Sequence, residues 1–304
     1  MKLDPKQTAF GRHETFPLRY AWLTKGFDAV LDQPDIFSEP DLAMVVLGVG
    51  RNMVSAIHYW LQAARLVEFA DGQGKPTELG ELLLGDDGDP YLEDEATLWI
   101  LHWLLVSNAP LATGFFWFFN RYAMPRFQEE QVRADMTEFT AAELQIERAQ
   151  STLKSDVSTL LRMYAPVADK DEDHLDSPLA QLRLIEIEGD AKARTKTYRS
   201  PRAARPFLPP VALHFALAEC FADAPEQPAL PVRLVLYGGD ECAAPGAAFR
   251  LSEEGLMATL TQVMARWPGH YELRDTAGVH QIYRGERFGD PLGTLRDYYR
   301  RAAA

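Results

Sequence analysis

The stretch that most constrains this chain is residues 41–84, DLAMVVLGVGRNMVSAIHYWLQAARLVEFADGQGKPTELGELLL. Met44, Val45 and Leu47 fall on a short apolar helix that must stop at Gly48-Val49-Gly50, because glycine is unfavourable inside a helix. A second helix begins at Arg51 and Asn52, with Val54, Ile57, Leu61 and Ala64 on one face. Helices joined by so short a turn cannot lie antiparallel along their length, so they cross as in a helix-turn-helix. A strand-like VEF, a turn at ADGQGKP and a returning strand or helix in TELGELLL follow. That is the order of a winged helix. The same glycines do not make a dinucleotide loop, since Met53 stands where the third glycine is required and no strand precedes them.

If such a unit binds DNA, the exposed start of its second helix does the reading. Arg51, Asn52, Ser55 and His58 are the candidates there, with Val54 and Ile57 turned to the core. Net charge argues against a protein spread over phosphates, because −13 is acidic. Cations must then be concentrated on one face, or partners must supply affinity. The N-terminal block FGRHETFPLRYAWLTKGFDAV interleaves aromatics with Arg12, His13, Glu14, Arg19 and Lys25. Arg12 and Arg19 are candidate DNA contacts, though aromatic core with locally paired polar groups is the simpler explanation of the block. His13-Glu14 is not a zinc-protease motif, because Pro17 occupies the position of the second histidine.

A second unit of the same kind is expected further on. Leu153, Val157, Leu160 and Leu161 mark the inner face of a helix with Ser151 or Thr152 as its cap. LRLIEIE and KTYRS read as strands, joined by GDAKART. Gln150, Ser151, Lys154 and Ser155 would be its outward face, and Lys192, Arg194 and Lys196 its wing. Asp190-x-Lys192 resembles half of a nuclease signature but lacks an upstream acid, so a wing tip explains it better. The final third reads as the helix VALHFALAECFAD, a strand PVRLVLYGG, a helix capped at Ser252, a hairpin YELRDTAGVHQIYR and a closing helix. The fold class expected is mainly α with small β-hairpins (α+β): two winged-helix-like modules and a C-terminal α/β region. Pro125 marks a boundary between residues 1–124, a winged-helix domain with a helical extension, and residues 125–304.

Between the two units lies GDDGDPYLEDE, six of whose eleven residues are acidic. Asp89, Glu93 and Asp94, with Glu14, are the candidate oxygen ligands for a divalent ion, Mg²⁺ or Mn²⁺. The competing reading has Asp89 or Pro90 opening a helix whose first turns carry the acids, as the macrodipole favours. His102, inside ATLWILHWLLVSN, is read as a core histidine, and GFFWFFNRY as buried rings. Two cysteines fit a reducing cytoplasm, no apolar run is long enough for a bilayer, and no phosphate-loop or nucleophile-elbow motif is present.

Taken together, FGRHETFPLRYAWLTKGFDAV, LGVGRNMVSAIHYWL, DPYLEDEATLWILHWLL, STLKSDVSTLLRMY and YELRDTAGVHQIYR form an ordered set of blocks spanning nearly the whole chain. The set resembles the SspB-like nicking components of bacterial DNA phosphorothioation (Ssp) systems, a family long catalogued as a domain of unknown function. The resemblance implies DNA nicking in an anti-phage system, beside a cysteine desulfurase, an ATPase and an ATP-pyrophosphatase-like enzyme. A homodimer is an assembly open to it, and a membrane is not a partner. No catalytic motif of the family is carried over. From chemistry alone, His13 is the candidate general base and Glu14 the candidate catalytic carboxylate. A non-catalytic DNA-binding adaptor is the alternative.

Overall fold

The computed structural model describes residues 3–165, 177–190, 193, 195–239, 242–276 and 279–302. Its first unit opens with α1 (Tyr20–Asp32), followed by α2 (Pro40–Leu47) and α3 (Arg51–Ala63), which cross at a bend of 85°. Gly48 ends α2 in the left-handed region at φ 66°, which a side chain would disfavour. Val54, Ile57, Leu61 and Ala64 are buried as the spacing predicts. α2 is the surprise, because only Ala43 and Leu47 are buried on it, while Leu42, Val45 and Val46 are exposed. The hairpin follows as β1 (Val67–Ala70) and β2 (Gln73–Pro76), antiparallel with Val67 opposite Pro76. The chain then turns into α4 (Glu78–Leu84), capped by the Thr77 hydroxyl. Gly80 is required here: a Cβ would stand 2.1 Å from the Leu66 carbonyl oxygen.

Helix α5 (Glu95–Ser107) is buried almost all round and forms the spine. It starts later than the acidic run suggests. Asp94 is its N-cap, accepting from the Ala96 N–H at 2.8 Å, and the expected opening at Asp89 or Pro90 is a turn instead. His102 is a core histidine, bonded to the Tyr164 hydroxyl and the Ala248 carbonyl at 2.8 Å each. Burial lowers its pKa to about 3.

A second unit begins with the aromatic helix α6 (Thr113–Asn120), all of whose rings are buried. β3 (Arg126–Gln128), α7 (Glu129–Ala142), α8 (Gln150–Tyr164), β4 (Glu186–Glu188) and β5 (Thr197–Arg199) complete it. The strand order is β3-β5-β4, with Phe127 and Ile187 both opposite Tyr198. Ala149 precedes α8 without a side-chain cap, so Ser151 and Thr152 do not cap it as expected.

The C-terminal region repeats this topology. α9 (Pro210–Ala222), β6 (Ala229–Pro231), α10 (Val232–Tyr237), α11 (Pro245–Ala248), α12 (Glu253–Arg266), β7 (Tyr271–Thr276) and β8 (Val279–Arg284) run in order. The sheet is again first-third-second, β6-β8-β7. PVRLVLYGG is therefore mostly helix where a strand was expected: Val232, Val235 and Leu236 are buried at i, i+3, i+4 spacing. Ser252 caps α12 through the Gly255 N–H, as expected. α13 (Pro291–Ala302) closes the chain against α9 and α4. α5 packs on α6, α9 and the 3-10 turn Pro178–Leu182, so the core crosses residue 125. No single helix among the described residues is long and apolar enough to cross a membrane.

Candidate nucleic-acid interface

Residues 8–16 form an irregular strap lying against both α3 and α8. Its backbone is tied at successive positions. The Ala9 N–H donates to Thr113 Oγ1 at 2.9 Å, and the Gly11 N–H to the Asp156 carboxylate at 3.0 and 3.2 Å. The Trp60 indole of α3 donates to the Phe16 carbonyl at 3.2 Å, and Arg162 of α8 donates to the Thr15 carbonyl. His13 is at the centre. Its Nδ1 accepts from the Thr15 N–H at 3.2 Å, which leaves Nε2 as the protonated nitrogen donating to Asp156 at 2.7 Å. The ring is fully buried and stacks on Trp60 with centroids 5.9 Å apart. Both nitrogens are therefore committed, and His13 is not offered to a substrate as a general base.

Alternate strap residues face outward. Arg12 and Glu14 are exposed and line a cleft of about 450 Å³ together with Arg51, Ser55 and His58 of α3. Five of the residues singled out in the sequence thus meet at one place. His58 is half-buried, its ring 3.9 Å from Phe69 and 5.1 Å from Phe37. Burial, and then the Arg12 guanidinium, lower its pKa, so the imidazole is neutral at pH 7. Arg51 bonds Asp41 across the helix-turn-helix at 2.5 Å, and Asn52 is exposed beside it.

Arg12 also lines a second cleft, of about 340 Å³, at the start of α8. There Arg148 donates to Thr8 Oγ1 at 3.1 Å and lies over the Phe10 ring. Gln150, Ser151 and Lys154 are exposed on α8. Ser158 and Arg162 continue the same face into a third cleft of about 460 Å³, shared with Lys196, Arg133, Glu129 and Glu130. Arg19 instead stacks over Trp22 at 5.3 Å. Lys192 and Arg194 lie outside the described residues. The net acidity of the chain is therefore compatible with a cationic track, although Glu14, Glu147, Glu129 and Glu130 stand along it.

The acidic loop does something different. Asp89 accepts the Glu93 and Asp94 N–H groups at 2.9 Å each, and Asp94 accepts the Tyr298 hydroxyl besides capping α5. Glu93 is exposed. Among the described residues no three His, Cys, Asp or Glu side chains come together as metal ligands. Asp89 and Asp94 act as caps, and the candidate ligand set Glu14, Asp89, Glu93 and Asp94 is not gathered into one site. A divalent ion does not fit these residues as they stand.

Sequence reasoning missed Asp156, Arg148 and Arg162. Asp156 had a signal: it falls between Leu153, Val157 and Leu160 on the buried face of α8, where a lone acid needs a partner. Arg148 and Arg162 had none, because their partners are more than a hundred residues away.

The family described as a protein of unknown function, DUF4007, matches residues 10–299. Among solved structures, the chain is similar to magnesium ion-bound SspB, with TM-score 0.84 and 26% identity over 99% of this chain and 91% of that one. A second SspB crystal structure matches with TM-score 0.81 and 27% identity, covering 97% and 89%. No curated protein matches the sequence.

Proposed function

The chain belongs to the DUF4007 family, and from that premise we propose that it engages DNA as an SspB-like component of a DNA phosphorothioation system. The observation that carries this reading is the cleft on α3, where Arg12, Arg51, Ser55 and the neutral His58 line one concavity at a helix-turn-helix. Arg51 and Asn52 stand at the exposed start of that helix, and such side chains discriminate bases by about 1–3 kcal/mol each in a major groove. The likeness to SspB supports the place in the system, with the sulfur-transfer enzymes as partners.

Nicking is the finer half of the proposal. His58 is its proton acceptor and Glu14 its carboxylate, both lining the cleft on α3. SspB has been crystallised with magnesium, but no step is routed through a metal in this chain, because its described acids do not assemble a site. The adaptor reading gains from the same fact: His13, Asp89 and Asp94 are spent on holding the fold.

Purified protein on supercoiled plasmid, with and without Mg²⁺ or Mn²⁺, separates the two. Open circles should form with wild type, and Glu14→Gln and His58→Gln should be folded and inactive. Asp89→Ala and Asp94→Ala should nick at the wild-type rate with stability lowered by about 0.5–2 kcal/mol, the usual effect of a lost cap. DNA bound with no open circles under any condition selects the adaptor. Arg51→Ala and Asn52→Ala binding DNA like wild type would remove α3 from the interface.

A further inference from the structure

We propose that the strap of residues 8–16 couples α3 and α8 into a single reader of one continuous DNA duplex, with Arg12 as the phosphate contact shared between them. The inference rests on the DNA engagement proposed above and adds a second contact surface and the device that aligns it. Arg12 is the residue common to the cleft on α3 and the cleft at the start of α8. It is exposed and, among the described residues, has no ion-pair partner. On one side of it stands Arg51, and on the other Arg148 and then the outward face of α8, with Gln150, Lys154, Ser158 and Arg162 at successive i+4 positions. No acid interrupts that row of α8, whereas a solvated helix face without a ligand commonly mixes both signs.

The coupling is structural and has named parts. Asp156 receives the Gly11 N–H and the His13 imidazole, and His13 in turn lies flat on Trp60 of α3. A bond to α8 and a stack on α3 thus meet in one buried side chain. Asp156 is accordingly a positioning residue: it touches no DNA, but it holds Arg12 at the junction and fixes one helix relative to the other. Two contact surfaces held rigidly convert the second binding event into an intramolecular one, which raises affinity by about 10²-fold or more.

The test is anisotropy with duplexes of about one and about two helical turns (about 10 and about 20 base pairs). Wild type should bind the longer duplex at least about 10²-fold more tightly. Lys154→Gln should weaken the longer duplex more than the shorter one. Asp156→Ala should bring the longer duplex down to the affinity of the shorter one, and Asp156→Asn, which keeps an oxygen for Gly11, should restore part of the gain. Arg12→Gln, at an exposed position where folding is not at stake, should lower the salt slope on the longer duplex by about 0.9. Equal affinity for both lengths, or a length gain untouched by Asp156→Ala and Arg12→Gln, overturns the coupling while leaving α3 as a DNA reader. Wild type that binds neither duplex overturns the DNA reading itself and the coupling with it.

Discussion

The first and third units each carry an arginine near the start of the helix that precedes their hairpin, α3 and α12, and use it in opposite ways. Arg51 opens α3 with its side chain 61% exposed, paired with Asp41. Arg250, just before the cap of α12, is 3% exposed and points inward. It donates to the Phe118 carbonyl at 2.9 Å, the Tyr122 carbonyl at 3.2 Å and Ser200 Oγ at 3.1 Å, with the Phe118 and Phe119 rings beside it. Phe118 lies in the last turn of α6 and Tyr122 just beyond it, so an arginine of the third unit caps a helix of the second. Burial brings its pKa down to about 9, a charge kept by the carbonyls and ring faces that surround it. One topology therefore yields a surface that can be read and a joint that cannot. The direction of a single side chain decides which.

The comparison breaks most readily at these two arginines. Arg250→Ala would leave three buried acceptors unpaired and a cavity, at about 1–3 kcal/mol per acceptor. Urea unfolding should therefore show a loss of about 3 kcal/mol or more. Arg51→Ala removes an exposed pair worth about 0.2–1 kcal/mol, so its unfolding midpoint should stay near wild type while DNA binding falls. Equal destabilisation by the two would show that the inward and outward placements do not matter.

Acid should separate the units next. His214 of α9 is buried against the Trp267 and His270 rings, with Tyr271 Oη at 2.9 Å and Thr294 Oγ1 at 3.3 Å. Burial, more than the nearby His270, lowers its pKa to about 4. A base with a depressed folded pKa binds more protons when unfolded, so its penalty is absent above the unfolded value near 6.5 and grows as pH falls towards 4. At pH 5 that is about 2 kcal/mol for this side chain alone. Wild type should lose stability between pH 7 and pH 5, and His214→Gln should lose less. A parallel fall in both would place the acid sensitivity elsewhere, His102 being the next group to replace.

How much of this was legible in the sequence differs between the units. α3 with its hairpin, the inner face of α8, and β7 paired with β8 were readable because each depends on local spacing and turn chemistry. The third unit was not recognised as a repeat because VRLVLY is apolar enough to suit a strand, and only burial at Val232, Val235 and Leu236 makes it helical. The start of α5 was misplaced because Asp89 and Asp94 are equally good caps on paper. Asp89 serves the turn before the helix and Asp94 the helix itself. The cleft was half legible. Arg12, Glu14, Arg51, Ser55 and His58 were each singled out by type, but that they converge depends on Asp156, 143 residues from His13. The setting of His13 was illegible for the same reason, since its partner is distant and its burial has no local sign.

The smallest effect tests whether the third unit faces DNA at all. α12 begins with Glu253 and Glu254, both exposed, where α3 and α8 have no acid in the first turn. Two carboxylates at a helix start complement its dipole, at about 0.3–1 kcal/mol each, and would repel a phosphate backbone approaching the same turn. The dipole and the backbone therefore make opposite demands on this position, and the sequence answers the dipole. Glu253→Gln with Glu254→Gln should lower stability by about 1 kcal/mol through the lost dipole interaction, with the Ser252 cap intact. DNA affinity and its salt slope should not change, because no residue of α12 lines the three clefts along Arg12 and α8. A gain in affinity would show repulsion relieved, and with it that α12 meets the duplex as α3 does. That result would end the distinction between the two units, and measuring both quantities on one preparation keeps the stabilising role of the acids separate from any contact with DNA.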